Sequence, residues 1–166
     1  MNHTHPKQLR LLAIAPSSRG FGFVVLEGEK SLVNWGVRTV KKDKNIQSLK
    51  KVTELITDYR PGLLVLQDMA DAHRAPRIKA LNQRLIALAE TRKLKVKLIR
   101  DQQVKRVFFG DGKGTKQERA EIIAARFPDE LGFRLPSQRR AWESEDGRMC
   151  MFDAVALALA CWHKKK

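Results

Sequence analysis

The chain has 166 residues, a length that suits one domain with its own hydrophobic core. Its 33 Lys and Arg residues outnumber its 18 Asp and Glu residues, and the net charge of +15 favours a polyanionic partner such as nucleic acid. No apolar run is long enough to cross a bilayer, so we expect a cytoplasmic protein without a membrane partner. Cys150 and Cys161 lack CxxC spacing, so neither a disulfide framework nor a zinc site is predicted.

The first part of the chain predicts an antiparallel meander. Short apolar stretches separated by turn residues are typical of consecutive strands joined by hairpins. The residues before position 9 are expected to form a flexible tail. The predicted strands are residues 9–15, 22–27 and 32–40, with turns at 16–20 and 28–30.

Strands and helices alternate in the remainder of the chain. Apolar residues recur at helical spacing in three longer segments, and two short apolar runs are bounded by turns as buried strands are. Thr115 with Glu118 forms a capping-box pattern at one helix start. The predicted helices are residues 46–59, 76–92, 102–108, 115–127 and 149–162, the strands are 63–66 and 96–99, and 131–146 is expected to be irregular.

Four segments in this order carry a resemblance to a known family. They are residues 12–22, residues 61–68, the basic and glycine-rich stretch 104–116, and the run Asp-Ala-Val-Ala-Leu-Ala at 153–158. Together they resemble RuvC-type Holliday junction resolvases. The resemblance implies an α/β fold of the RNase H-like type, with a five-stranded mixed sheet and helices on both faces. It also implies a homodimer that acts on branched DNA. The length and the lack of a linker separately predict a single domain over residues 9–163, followed by a basic tail at 164–166.

The chemistry of that family depends on carboxylates. Such nucleases hold two Mg²⁺ or Mn²⁺ ions about 4 Å apart on acidic ligands. The resemblance places three of these ligands at Ala15, Gln67 and Cys150, none of which is an acid, and the fourth at Asp153. Oxygen ligands that could substitute are Asp68, Glu145 and Asp146. Asp68 follows Gln67 directly and should point to the opposite face, unless the end of the strand re-aims it.

Basic residues flank the segments that resemble the family. With a charge of +15, several are expected to contact phosphates. The candidates are Arg19, Arg74, Arg77, Lys105, Arg106, Lys113, Lys116, Arg119, Arg139 and Arg140.

Several functions remain compatible with the sequence. Natural loss of the acids predicts a protein that binds branched nucleic acid without cutting it, and that would then need no cofactor. A relocated site at Asp68, Glu145, Asp146 and Asp153 predicts a Mg²⁺- or Mn²⁺-dependent endonuclease. Ala15 and Gln67 could also be introduced substitutions, because Ala for Asp and Gln for Glu are habitual inactivating changes. A further alternative is a non-catalytic subunit of a larger assembly. Branched DNA is the expected ligand, and RNA is not excluded.

Overall fold

A five-stranded mixed sheet forms the centre of the protein. The computed structural model describes residues 9–70, 72–137 and 145–164. The strand order is β3-β2-β1-β4-β5, in which β1, β2 and β3 pair antiparallel and β1, β4 and β5 pair parallel. This confirms the predicted α/β fold with an antiparallel meander followed by parallel strands. The strands are β1 (Arg10–Ser17), β2 (Gly20–Glu27), β3 (Ser31–Thr39), β4 (Leu63–Gln67) and β5 (Lys95–Ile99).

Helices cover both faces of the sheet. The first two helices enclose one apolar core with one face, and the third, fourth and last enclose a second core with the other. Within the described residues no helix is both long and apolar enough to span a membrane. The helices are α1 (Lys44–Tyr59), α2 (Pro76–Thr91), α3 (Asp101–Phe108), α4 (Lys116–Arg126), α5 (Pro128–Leu131) and α6 (Met149–Lys164), and a 3-10 turn spans Gly132–Arg134.

Strand alternation decides which side chains face α6. Successive residues of a strand point to opposite faces of the sheet. Leu12 and Ile14 of β1 belong to the core under α1 and α2, whereas Ala13 and Ala15 belong to the core under α6. The same alternation on β4 puts Gln67 on the α6 side, two residues beyond the buried Val65. The ends of both strands therefore present one residue each towards α6.

Gly22 allows α6 to lie directly on the sheet. It pairs with Ala15 across the β1–β2 ladder. A Cβ atom at position 22 would lie 2.2 Å from the backbone carbonyl carbon of Cys150, a distance that side-chain atoms do not reach. The missing side chain thus sets how close the first turn of α6 comes to the end of β1.

The structure corrects the predicted boundaries in two places. Residues 16–20 were expected to form a turn, but β1 continues through Pro16 to Ser17, and the turn is Ser18–Arg19. Proline is tolerated there because the β1–β4 pairing ends at Ala13, so its missing N–H costs no bond to β4. In the segment expected to be irregular, the 3-10 turn forms after the short helix α5. Other boundaries differ by one or two residues.

Candidate nucleic-acid site

A cavity of about 360 Å³ opens where β1 and β4 end beside α6. Open α/β sheets commonly bind ligands at the carboxyl ends of their strands. The lining includes Ala15, Gln67, Cys150 and Asp153, the four positions at which the family resemblance places metal ligands. Cys150 and Asp153 share a face because they lie three residues apart on α6.

Three of these four positions offer no charged ligand. Ala15 is buried and presents a methyl group. The Oε1 atom of Gln67 accepts a hydrogen bond from Nη1 of Arg74 at 2.9 Å. The Cys150 thiol donates to the carbonyl of Gly147 at 3.3 Å, and burial raises the pKa of this thiol to about 11, which keeps it neutral at pH 7.

Asp153 is neutralised by two cations from the first turns of α4. Its Oδ1 accepts from Nη2 of Arg119 at 2.9 Å and its Oδ2 accepts from Nζ of Lys116 at 3.2 Å. Lys116 also donates to Oε1 of Glu145 at 3.2 Å. Burial lowers the pKa of Lys116, but the charges of Asp153 and Glu145 outweigh it and leave that pKa raised. We name these four residues, Lys116, Arg119, Glu145 and Asp153, the carboxylate cluster.

The capping box of α4 explains why both cations reach the same carboxylate. The hydroxyl of Thr115 accepts from the backbone N–H of Glu118 at 3.1 Å, and the Glu118 carboxylate accepts from the backbone N–H of Thr115 at 3.3 Å. This fixes the start of the helix, as the sequence predicted. Lys116 and Arg119 are then one turn apart on the side that faces α6.

The two remaining candidate acids lie in different places. Asp146 lines the cavity, and hydrogen bonds from Arg148 lower its pKa below the usual range. Asp68 is not part of the cavity lining. Its carboxylate lies 3.8 Å from Nε of Arg100 and accepts from the backbone N–H of Ala70. The structure therefore brings Glu145, Asp146 and Asp153 to the cavity and leaves Asp68 outside it.

The residues present do not fit a two-magnesium site. Mg²⁺ requires several oxygen ligands in near-octahedral geometry. At the four expected positions the cavity offers a methyl group, an amide already bonded to a guanidinium, a neutral thiol and a carboxylate paired with two cations. In the described part of the chain, no group of three His, Cys, Asp or Glu residues is arranged to hold a metal ion.

Three other cations are held at the β1–β2 turn by consecutive backbone carbonyls. Arg74 Nη2 donates to the carbonyl of Pro16 at 2.9 Å, Arg77 Nη2 to that of Ser17 at 3.1 Å, and Lys44 Nζ to that of Ser18 at 2.6 Å. The sequence predicted Arg74 and Arg77 as phosphate contacts but not Lys44. The only sequence feature that could have indicated Lys44 is its position in a basic loop. The turn shelf hereafter means Pro16, Ser17, Ser18, Lys44, Arg74 and Arg77.

The other predicted cations are more scattered. Arg19 is exposed and lines the cavity. Lys105 lies 3.3 Å from the Asp101 carboxylate, one turn earlier on α3. Arg106 and Lys113 are exposed and are not part of the cavity lining. Arg139 and Arg140 lie outside the described residues.

The comparisons with solved structures identify the fold. RuvC of Thermus thermophilus superposes with a TM-score of 0.67 and 18% identity, covering 95% of this chain and 96% of that one. T. thermophilus RuvC in complex with Holliday junction substrate gives 0.66 and 19%, covering 92% of each chain. The fowlpox virus Holliday junction resolvase gives 0.54 and 10%, covering 94% of this chain and 99% of that one. No protein-family model and no curated protein matches the sequence.

Proposed function

We propose that this domain, whose fold is of the RuvC type, binds branched nucleic acid without cutting it. The observation that carries the proposal is the composition of the cavity. The positions expected to hold metal ions carry Ala15, Gln67 and Cys150, while Arg19, Arg74, Lys116 and Arg119 line the same space. A RuvC neighbour has been solved with Holliday junction substrate, which supports branched DNA as the ligand class.

Binding through phosphates follows from the charge of the chain. A protein with a net charge of +15 gains affinity for nucleic acid mainly by releasing the counterions that surround the phosphates. Arg74 and Arg77 have no ion pair with a carboxylate in the described residues, so they are the first candidates for phosphate contacts. Arg19 is a further candidate because it is exposed, although its charge also acts on the carboxylate of Asp146. The remaining proposed contacts are Lys105, Arg106, Lys113, Lys116, Arg119, Arg139 and Arg140. Among them, Lys116 and Arg119 should contribute less than Arg74 and Arg77, because both already pair with Asp153.

The proposal includes a homodimer. A four-way junction has two-fold symmetry, and a C₂ dimer would present two equivalent basic surfaces to it. The same arrangement would serve binding as well as cutting. The oligomeric state can be measured by sedimentation equilibrium with and without a junction, and a dimer is expected at least in the complex.

A Mg²⁺- or Mn²⁺-dependent endonuclease is the competing proposal. The observation in its favour is that Glu145, Asp146 and Asp153 all line the cavity. Against it stand the cations that already neutralise them, since Lys116 and Arg119 pair with Asp153 and Arg148 pairs with Asp146.

One experiment separates the two. An end-labelled four-way DNA junction is incubated with the protein in EDTA, Mg²⁺ or Mn²⁺, and each tube is run on native and denaturing gels. We expect a shifted junction without nicks under all three conditions. Symmetric nicks that need metal and disappear in Asp153→Asn would establish the endonuclease. No shift at low salt would refute nucleic-acid binding by the isolated chain and favour a subunit of a larger assembly. Measuring the same gel shift with an RNA junction and with a linear DNA duplex would show whether the protein prefers DNA over RNA and branched over linear nucleic acid.

A further inference from the structure

The cations of the turn shelf are held by neutral acceptors. Arg74 bridges the ends of β1 and β4, because it donates both to the carbonyl of Pro16 and to the side-chain amide of Gln67. Arg77 is held in the same way by the carbonyl of Ser17 and by Oδ1 of Asn45 at 3.1 Å.

A neutral acceptor fixes the position of a cation without cancelling its charge. Lys44, Arg74 and Arg77 form no ion pair within residues 9–70, 72–137 and 145–164. Each is only partly buried. Three positive charges are therefore fixed on the carbonyls of three consecutive residues. These three residues line the cavity, as does Arg74. Since little side-chain entropy remains to be lost, such preorganised donors are well suited to an incoming anion.

Gln67 is central to this arrangement. A glutamate at this position would face the guanidinium of Arg74, which lies within hydrogen-bond distance of its side-chain oxygen. Carboxylates and guanidinium groups pair strongly, often through two parallel hydrogen bonds. The pair would hold Arg74 in place but remove its net charge. The amide keeps the positioning and leaves the charge available.

We propose that the turn shelf is a binding site for the phosphodiester groups of a nucleic-acid strand, and that the neutral side chain of Gln67 is a condition for binding there. The inference rests on the proposed function and deepens it. It gives the residue that replaces the expected fourth-strand acid a role in binding. Gln67 is here a positioning residue that acts through Arg74.

The test compares two substitutions that change the charge equally. Gln67→Glu neutralises Arg74, whereas Gln83→Glu adds the same charge at an exposed position of α2. Binding of a fluorescein-labelled four-way DNA junction is measured by anisotropy in EDTA over a range of salt concentrations. We expect Gln67→Glu to weaken binding about eightfold at 0.1 M salt and to lower the slope of log K against log salt by about 0.9, the value for one phosphate contact. Gln83→Glu should change affinity less than about twofold, because it touches no proposed contact.

A second variant guards against a folding defect at position 67. Asn45→Asp makes the corresponding change beside Arg77 and should produce a similar loss, with thermal melts confirming that all variants are folded. Equal affinities for Gln67→Glu and Gln83→Glu, or for Asn45→Asp and wild type, would overturn the turn-shelf proposal while leaving nucleic-acid binding intact. If the wild-type chain does not bind the junction at all, both proposals fall.

Discussion

The turn shelf and the carboxylate cluster border the same cavity but hold their cations in different ways. In the turn shelf, Arg74 donates to a carbonyl and an amide. In the carboxylate cluster, Arg119 donates to Asp153, and its side chain is only 8% exposed. The first arrangement leaves a charge uncompensated near the surface, and the second neutralises a charge in a partly buried place.

This difference separates cations whose main proposed role is binding from cations whose main role is structural. A buried charge must be paired because its desolvation is costly, so breaking the carboxylate cluster should lower stability. A cation held by neutral groups can attract a phosphate, so breaking the turn shelf should lower affinity more than stability. Both clusters also depend on the close packing of α6 against the sheet.

The largest loss of stability is expected from a substitution of Gly22. Gly22→Ala would place a methyl group against the backbone of Cys150 and push α6 away from β2, which should lower the free energy of unfolding by more than about 3 kcal/mol. Gly62→Ala is the matched control, since its new methyl group would meet only a Leu9 methyl at 3.4 Å and should cost less than about 1 kcal/mol. Urea unfolding measures both. Similar losses would show that α6 does not need the close approach.

Substitutions within the carboxylate cluster should cause a smaller loss of stability. Arg119→Met removes the less exposed partner of Asp153 and should cost about 2–3 kcal/mol of unfolding free energy. Lys116→Met removes a partner that is 54% exposed, where water screens the pair, and should cost less than about 1 kcal/mol. Urea unfolding of the two variants at pH 7 is the measurement. If Lys116→Met lost more unfolding free energy than Arg119→Met, the more buried of the two ion pairs would not be the more stabilising one.

The buried thiol of Cys150 should make the folded protein less stable at alkaline pH. Burial raises the pKa of its thiol to about 11 in the folded chain. An unfolded thiol ionises near pH 8.5, so the stabilisation is complete below that pH and is lost as pH rises towards about 11, at up to roughly 1.4 kcal/mol per pH unit. The raised pKa of Lys116 acts with the same sign, but only above about pH 10.4.

Unfolding of wild type and Cys150→Ala at pH 7.5 and 10 isolates this thiol. Between the two pH values, the free energy of unfolding of the wild type should fall by about 2 kcal/mol more than that of Cys150→Ala. An identical loss in both proteins would show that the ionisation of Cys150 is not linked to unfolding.

Much of the fold could be predicted from local signals. Apolar runs placed the five strands, and the spacing of Thr115 and Glu118 placed the start of α4. The segments that resemble RuvC resolvases also identified Ala15, Gln67, Cys150 and Asp153 as neighbours before the structure placed them around one cavity.

The contacts of the turn shelf could not be predicted in this way. Arg74 and Pro16 are 58 residues apart, and Lys44 and Ser18 are 26 apart. A bond from a side chain to a distant backbone carbonyl leaves no residue-type signature, because every residue carries a carbonyl. Strand alternation showed that Asp68 would differ from Gln67 in direction, but its pairing with Arg100 depends on how the chain leaves β4.

The most direct test of the division between the two clusters is the salt dependence of junction binding by Arg74→Met and Lys116→Met. Each variant removes one positive charge beside the cavity. If the turn shelf binds phosphate, Arg74→Met should lower the slope of log K against log salt by about 0.9, and Lys116→Met should lower it by less than about half of that. A loss for Lys116→Met equal to or greater than that for Arg74→Met would contradict the account, because the cation neutralised by carboxylates would then be the one that contacts the nucleic acid.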